Sequence, residues 1–352
     1  MIPYTENEVN IQLEIREVNE GALFAKYKSS YMRSCIDLSI HTFLLASSFY
    51  AMWLCRHSYV SIFTSVLLTL MIGRTFVLFH DCVHNSYTPN SFVNTVLSHI
   101  MGVVVISNPN WFIIHNLHHL STGNIGNKHN YYFNDTVLIT QQQFTKSSPW
   151  FQTFYYWYKK PYIEYPLFIF IYLTFVNFYG LFKTRFIYNK SMYIILFNHI
   201  INKLGVGVYI YCLYETGILY HFLFSFWLFT MLISSLLHNE HTYNPSYITG
   251  NDTWTQRDSG LKSSSIVEIP FCLKYFFAGI EYHHIHHINT KIPCYNLQKY
   301  HEEVIAKSDL FDMVHSIDLR EYFNNLHLVL YDETRQRYIR FDEIEYGKPK
   351  ND

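Results

Sequence analysis

The chain has 352 residues, a formal net charge of -1, 15% charged residues and 19% aromatic ones. Soluble domains usually carry about 25% charged residues, so this composition argues against an ordinary soluble enzyme, and the near-neutral balance excludes the basic field that nucleic acid would need. The six cysteines (Cys35, Cys55, Cys82, Cys212, Cys272 and Cys294) form no C-x-x-C pair, which favours reduced packing residues over a disulfide framework or a zinc ribbon.

In chain order, residues 1–37 mix Glu6, Glu14, Arg16, Lys26, Lys28 and Arg33 with no apolar signal-like stretch, and are expected to form a cytosolic N-terminal segment. A spanning helix takes about 20 mostly apolar residues. Residues 38–54 and 60–79 approach or meet that length, separated by a short polar link, and predict a helical hairpin. Residues 92–106 are fewer and carry Asn94, Ser98 and His99, so they are expected to be interfacial or re-entrant. Residues 107–161, with Lys128, Asp135, Lys146, Lys159 and Lys160, read as a face exposed to water. Three more apolar stretches follow at 162–182, 193–213 and 217–237. The last two predict a second hairpin, turning at Glu215 and Thr216. From about 238 to 352 the chain is polar and predicts a soluble cap and tail, with no chemical motif in 309–352.

Four histidine-bearing segments stand out: His80-Asp81-Cys82-Val83-His84, His115-Asn116-Leu117-His118-His119, His238-Asn239-Glu240-His241 and His283-His284-Ile285-His286-His287. On a helix, residues three and four apart share a face, so each of the three longer clusters presents its imidazoles together. His99, His199 and His221 read as ordinary hydrogen-bonded histidines. With 20 His in 352 residues, chance supplies an H-x-x-H-H pattern only on the order of 0.06 times per chain. Two copies, beside an H-x-x-x-H and a further pair, therefore point to metal. About nine neutral imidazoles without organised thiolates suit Fe, Zn, Cu or Ni. That number exceeds one site and implies two ions. His301-Glu302-Glu303-Val304-Ile305 lacks the second histidine of a zinc protease motif. Two irons in an all-histidine shell at a membrane surface point to oxygen activation.

If these clusters form one site they lie on one side of the membrane. Residues 92–106 then cannot cross, and 162–182 must lie in the interface or dip in and return. The loop bearing Lys183, Arg185 and Lys190 is placed in the cytoplasm by the positive-inside tendency.

These segments resemble the membrane-bound fatty acid desaturases with three histidine boxes, in particular the acyl-lipid Δ12/ω-type and related bacterial branch. The resemblance covers roughly residues 38–302 and is carried by three stretches. The first box is His80-Asp81-Cys82-Val83-His84. The second runs from Trp111 through His115, His118 and His119 to Thr122-Gly123-Asn124. The third, Glu281 to His287, is followed by Lys291-Ile292-Pro293-Cys294-Tyr295-Asn296-Leu297, similar to the R-I-P-N-Y-x-L of that branch. His241 stands where the branch has a lone histidine before the last box.

Carried over residue by residue, the resemblance implies metal ligands at His80, His84, His115, His118, His119, His241, His283, His286 and His287, with His238 and His284 as spares. It implies a place for Trp111 beside the acyl chain, against the equally plain reading of an interfacial aromatic anchor. Asp81, Glu240 or Glu281 could orient ligating imidazoles, although a surface salt bridge is the commoner role for each alone. Thr122 and Asn124 are expected to shape the turn leaving the second box. Cys294 departs from the family's usual Asn, which touches local loop structure. Leu237 stands where animal acyl-CoA desaturases have an Asn that adds a tenth ligand position. No H-P-G-G haem motif occurs, so electrons are expected from a separate cytochrome b5 or ferredoxin.

The implied protein is all-α and polytopic, with about four spanning helices in two hairpins plus interfacial helices. A cytosolic cap would carry the di-iron site, residues 38–302 would form the desaturase domain and 303–352 a cytosolic tail. Its expected activity is O2-dependent desaturation of a fatty-acyl lipid or thioester using two Fe ions, in the endoplasmic reticulum if the host is eukaryotic, with the boxes and both termini cytosolic. Two other readings remain open at this point. A hydroxylase or ketolase of the same superfamily would use the same histidine shell on alkyl, sterol or carotenoid substrates. A polytopic metal transporter would instead place ionisable ligands within its spans, where this sequence has few.

Overall fold

The computed structural model describes residues 24–126, 138–174 and 192–344. Lys128, Asp135, the 175–182 end of the fourth apolar stretch, the loop with Lys183, Arg185 and Lys190, and the terminal residues 1–23 and 345–352 lie outside the described residues.

Among the described residues, four helices have the length and apolarity to cross a membrane: α1 (Tyr31–Cys55), α2 (Ser61–Val83), α8 (Met192–Glu215) and α9 (Leu219–His241). At 1.5 Å per residue, their 23 to 25 residues reach about 35–38 Å, enough for a hydrocarbon core of about 30 Å. They form the two expected hairpins, each longer than hydropathy alone suggests, since α2 runs on into the first histidine box and α9 ends on His241. The second hairpin turns through Gly217, which takes a φ of +73°.

Within the four, α2 and α9 are central and α1 and α8 peripheral: 61% of the apolar window of α2 is buried against 11% of that of α8. Phe43 of α1 and Phe197 and Leu204 of α8 are exposed, a costly display in water but ordinary where lipid is the solvent. The central pair is joined by a hydrogen bond from Thr69 Oγ1 to the Ser225 carbonyl at 3.0 Å, the kind of small-residue contact that ties helices in lipid.

Between the hairpins, α3 (Ser91–Val104) does not cross alone. It bends by 107° into the segment Pro109–Ser121, which contains α4 (Phe112–Ser121). Asn90 starts α3 by accepting from the Phe92 and Val93 amides. At the bend, Asn202 Nδ2 donates to the Ser107 carbonyl (3.0 Å) and Tyr172 Oη to the Val105 carbonyl (2.8 Å). Broken backbone at membrane depth needs such partners. The water-facing reading of 107–161 is corrected here, because α4 buries Ile113, Ile114, His115, His118 and His119. Hydropathy scored those imidazoles as polar, whereas they face one another rather than solvent.

Next come α5 (Gln141–Lys146), α6 (Pro149–Tyr158) and α7 (Pro161–Ile171). Trp150, Phe154 and Trp157 of α6 are exposed, as in the aromatic belt of a membrane interface. The second half of the chain supplies α10 (Gln256–Lys262), α11 (Lys274–Phe277), α12 (His283–Ile288), α13 (Cys294–Tyr300) and α14 (Leu319–Asn325). Four short strands complete it: β1 (Ile266–Val267) pairs in parallel with β2 (Ser316–Ile317), and β3 (Leu330–Asp332) runs antiparallel to β4 (Arg337–Ile339). The polar C-terminal stretch is thus folded back, with Tyr155 Oη of α6 donating to the Val329 carbonyl at 2.9 Å.

One glycine sets the entry to α12. Gly279 has φ +88°, and a Cβ there would stand 2.5 Å from the Cys294 carbonyl oxygen. Gly279→Ala is therefore expected to cost more than about 1 kcal/mol. It should lower the unfolding midpoint of the purified protein in detergent, and an unchanged midpoint would show that the turn relaxes freely.

Candidate metal centre

Nine imidazoles converge in two buried groups. His80, His84, His115, His119 and His286 form one, and His118, His241, His283 and His287 the other, with the facing ring nitrogens of each group within 4.8 Å of one another. These are the nine positions singled out in the sequence, and none is more than 7% exposed.

The two H-x-x-H-H boxes are used in opposite senses. In α4 the i, i+4 pair His115/His119 joins the first group and His118 the second. In α12 the i, i+4 pair His283/His287 joins the second group and His286 the first. Helical geometry puts i+3 and i+4 on neighbouring but distinct lines of one face, so each short helix can serve both groups. Helices α2 and α9 bring His80 and His241 to these groups at their C-terminal ends, and His84 caps α2.

The hydrogen bonds around the donor set fix which ring nitrogens carry lone pairs. His241 Nδ1 lies 2.9 Å from the Ser263 carbonyl, which can only accept. Its proton is therefore on Nδ1, and Nε2 carries a lone pair. Thr122 Oγ1 donates to the His118 carbonyl (2.7 Å) and so accepts from His118 Nδ1 (3.3 Å), which puts the same tautomer on His118. Yet His118 Nε2 and His241 Nε2 face each other at 3.0 Å. Two lone pairs at that distance repel unless a cation sits between them. The ring closes through His241–His283 (3.0 Å), His283–His287 (3.0 Å) and His287–His118 (3.2 Å). In the first group, His80–His115 and His115–His119 are 2.9 Å apart and His119–His286 3.0 Å. Nitrogens bound at right angles to an ion about 2.0–2.1 Å away would lie about 2.9–3.0 Å apart, so the residues present fit metal ions. Burial, reinforced by the neighbouring imidazoles, pushes His283, His286 and His287 well below the usual imidazole range, which keeps them neutral for ligation.

Around the imidazoles the sequence reading needs one correction. Asp81, Glu240 and Glu281 are not surface residues; they are 1%, 1% and 2% exposed. Asp81 Oδ1 lies 3.6 Å from His80 Nδ1, and Glu240 Oε2 lies 3.6 Å from His283 Nδ1. Burial raises the Glu281 carboxyl above its ordinary range. Asp81 Oδ2 also accepts from the Cys294 amide at 2.6 Å. Because this contact uses the backbone of Cys294, the departure from Asn costs it nothing. The rest of that motif pins the first box to the third: Lys291 Nζ donates to the His84 carbonyl (2.8 Å) and Tyr295 Oη to the Tyr87 carbonyl (3.0 Å).

Trp111 is 6% exposed, so the interfacial-anchor reading fails. Its ring stacks on His115 with centroids 4.3 Å apart and stands 5.5 Å from Phe76. The two spare histidines lie outside both groups. His238 Nε2 bonds to the Asn325 carbonyl (2.8 Å), and His284 Nε2 pairs with His301 Nδ1 (3.1 Å). Thr122 and Asn124 do shape the turn after α4, Asn124 Oδ1 accepting from the Gly126 amide at 3.0 Å. Sequence reasoning missed the brace on that turn. Trp254 Nε1 and Ser259 Oγ donate to the Thr122 carbonyl, at 2.8 and 2.6 Å, and Gln256 Nε2 donates to that of His119 at 3.1 Å. Trp254 lies in a segment similar to one the family has between the lone histidine and the third box, but no role could be read for it, since the contacts reach across more than 130 positions.

Spanning-length helices and convergent imidazoles define a membrane protein whose buried histidines suit a metal site. The profile of the Fatty acid desaturase family matches residues 57–316, and the chain belongs to that family, an enzyme acting on fatty acids. It is 25% identical over 317 residues to a Fatty acid desaturase of Bacillus subtilis (strain 168), covering 85% of this chain and 84% of the relative. An sn-1 oleoyl-lipid 12-desaturase of Picosynechococcus sp. is 25% identical over 236 residues, 64% of this chain and 63% of that one. An sn-1 acyl-lipid omega-3 desaturase (ferredoxin) of Synechocystis sp. is 26% identical over 172 residues, 48% and 45% of the two chains.

Proposed function

We propose that the chain is an O2-dependent fatty-acyl desaturase whose two iron ions are held by His80, His84, His115, His119 and His286 and by His118, His241, His283 and His287. The observation that carries this reading is the pair of convergent groups, with lone pairs of His118 and His241 aimed at one point. Bound iron would supply activation of O2 and removal of two hydrogens from neighbouring methylenes.

The chain's own residues would do the rest. Ser263 and Thr122 hold the tautomers of His241 and His118, and Asp81 and Glu240 stand behind His80 and His283. Leu70, Gly73 and Val77 of α2 line an apolar crevice with Phe229, Ile233 and Leu236 of α9. On α2 these positions precede His80 at spacings of three and four, so the crevice follows a helix face that ends in the first box. At about 20 Å³ that crevice is too small for an alkyl chain, whose path is assigned to the cavity of about 580 Å³ between α6, α7 and α9, which reaches the proposed centre at His241, Thr122 and Ser263. Residues 38–302 form the catalytic domain in this reading, between cytosolic segments 1–37 and 303–352. The boxes face the cytosol, where a cytochrome b5 or a ferredoxin delivers electrons. A ferredoxin is named for the Synechocystis relative.

Expression in a yeast that makes only monounsaturated fatty acids tests the reaction. Mass spectrometry should find a new diene, whose double-bond position gives the regiochemistry. Hydroxylated products would move the assignment to the hydroxylase reading, and an unchanged profile with metal-loaded protein would reject this acyl substrate.

A further inference from the structure

The second half of the chain reads in sequence as a polar cap, yet two of its segments lie against the spans well below the histidines. The Tyr275 carbonyl accepts from Arg74 of α2, and the Tyr322 hydroxyl pairs with Ser235 Oγ of α9 at 2.7 Å. Arg74 and Ser235 precede His80 and His241 by the same spacing along their helices, which puts each about 9 Å further down its span. The 23 residues of each helix reach about 35 Å, only about 5 Å more than a hydrocarbon core of about 30 Å. Even with all of that excess on the histidine side, Arg74 and Ser235 lie below the hydrocarbon edge. Phe276 and Phe277 of the Tyr275 segment go deeper still, sharing the α2–α9 crevice with Leu70 and Gly73.

The segments that make these contacts carry exposed apolar side chains. Phe271 is 91% exposed, and Leu319 and Phe323 of α14 are 63% and 59% exposed. The short ladder β1–β2 brings the two segments together. Its strands are parallel, and the Glu268 amide extends it onto the Ile317 carbonyl at 2.9 Å, so both chains leave at the same end. Phe271 follows on one chain and Leu319 on the other. Leu319 and Phe323 share a face of α14, and Pro270 and Cys272 are exposed beside Phe271. A contiguous display of this kind is costly in water, but it is continuous with spans whose own solvent is lipid. Charge offers no alternative attraction. Residues 268–274 and 307–323 hold five acids against Lys274, Lys307 and Arg320, so anionic headgroups are not drawn here and any insertion is apolar.

We propose that the segments following β1 and β2 form one lipid-inserting edge, with Phe271, Leu319 and Phe323 seated among the upper acyl chains of the leaflet on the histidine side. The second half of the chain is then anchored in the membrane surface rather than standing above it as a soluble cap. This inference uses the four spans and not the proposed reaction.

The test places a reporter at each position. Phe271→Trp and Leu319→Trp, each in the full chain, are reconstituted in phosphatidylcholine vesicles, and the added emission is the difference from wild type. At both positions it should be blue-shifted, poorly reached by acrylamide, and lowered by at least about half when the lipid is replaced by one brominated high on the acyl chain. Both side chains are exposed, so the larger ring displaces little; should either variant not fold, Phe323→Trp takes its place. Red-shifted emission quenched by acrylamide at either position puts that side chain in water and overturns the proposal. Blue-shifted emission that bromine leaves unchanged means that protein, such as a second copy of the chain, covers the edge, and overturns it as well. Quenching that appears only when phosphatidylglycerol is added replaces apolar insertion by recruitment through charge, and also overturns it. No outcome depends on desaturation, so the edge can fail while the proposed activity stands.

Discussion

His118→Ala is expected to release the metal of the four-histidine group and to abolish product formation. His118 shares edges with His241 and His287, so its loss opens the ring of four nitrogens. Loss of a residue that merely orients a ligand typically costs 10–100-fold in metal affinity or activity. Removal of a ligand itself should exceed that, a loss of more than about 100-fold. Elemental analysis of the purified variant should show about one ion per chain against the two expected of the wild type. The control is His284→Ala, which removes a neighbour of two proposed ligands. His284 bonds to His301 and belongs to neither group, so this variant should keep both ions. Equal metal loss in the two variants would mean that the groups do not bind as drawn. Full metal in His118→Ala would place the second ion elsewhere.

The contrast shows which features of the centre are legible in the sequence. Spacing along one helix is local, so His115/His118/His119 and His283/His286/His287 announce a shared face before any fold is known. The opposite use of the two boxes is not local. It depends on how the boxes meet in the fold, through contacts such as Cys294 with Asp81 and Lys291 with His84, which join the first box to the third from more than 200 residues apart. The same limit explains the carboxylates. Composition favours the surface for any single acid, yet Asp81 is buried beside its sequence neighbour His80, and Glu240 behind His283, which only the folded chain brings near it.

The spans were legible because about 20 apolar residues announce themselves in any context. The bent α3–α4 pair was legible only in part. The stretch 92–106, expected to be interfacial or re-entrant, ends in a sharp bend, but the helix that follows mixes histidines with Ile113, Ile114 and Leu117, and hydropathy could not tell a buried polar cluster from a wetted one. The C-terminal stretch carried no motif at all. Its role emerges from Leu328 and Val329, which wall the cavity, and from pairing between strands that no periodicity reveals.

A second large effect is expected where charge is buried without metal. Asp37→Ala should destabilise the protein by about 3–5 kcal/mol. Arg74 stands inside α2 with its side chain 6% exposed, and its guanidinium bonds to the Asp37 carboxylate and the Tyr275 carbonyl. It also lies 4.1 Å from the centre of the Tyr275 ring. Tyr87 Oη donates to Asp37 Oδ2 at 2.9 Å, so the carboxylate joins α1, α2 and the loop after the first box. Deleting it leaves a permanent positive charge that cannot deprotonate and cannot reach water. A charge at the centre of a spanning helix costs about 2.5–3.5 kcal/mol on insertion scales, which agrees with the size expected here. The unfolding midpoint in detergent should fall by roughly 10 °C. The double exchange Asp37→Leu with Arg74→Met removes both charges and should recover at least half of the loss, because no orphan charge remains. A double variant as unstable as the single one would assign the effect to lost packing between α1 and α2 instead. Recovery would show that the pair costs little to keep and much to break, so that Asp37 is required mainly because Arg74 is present.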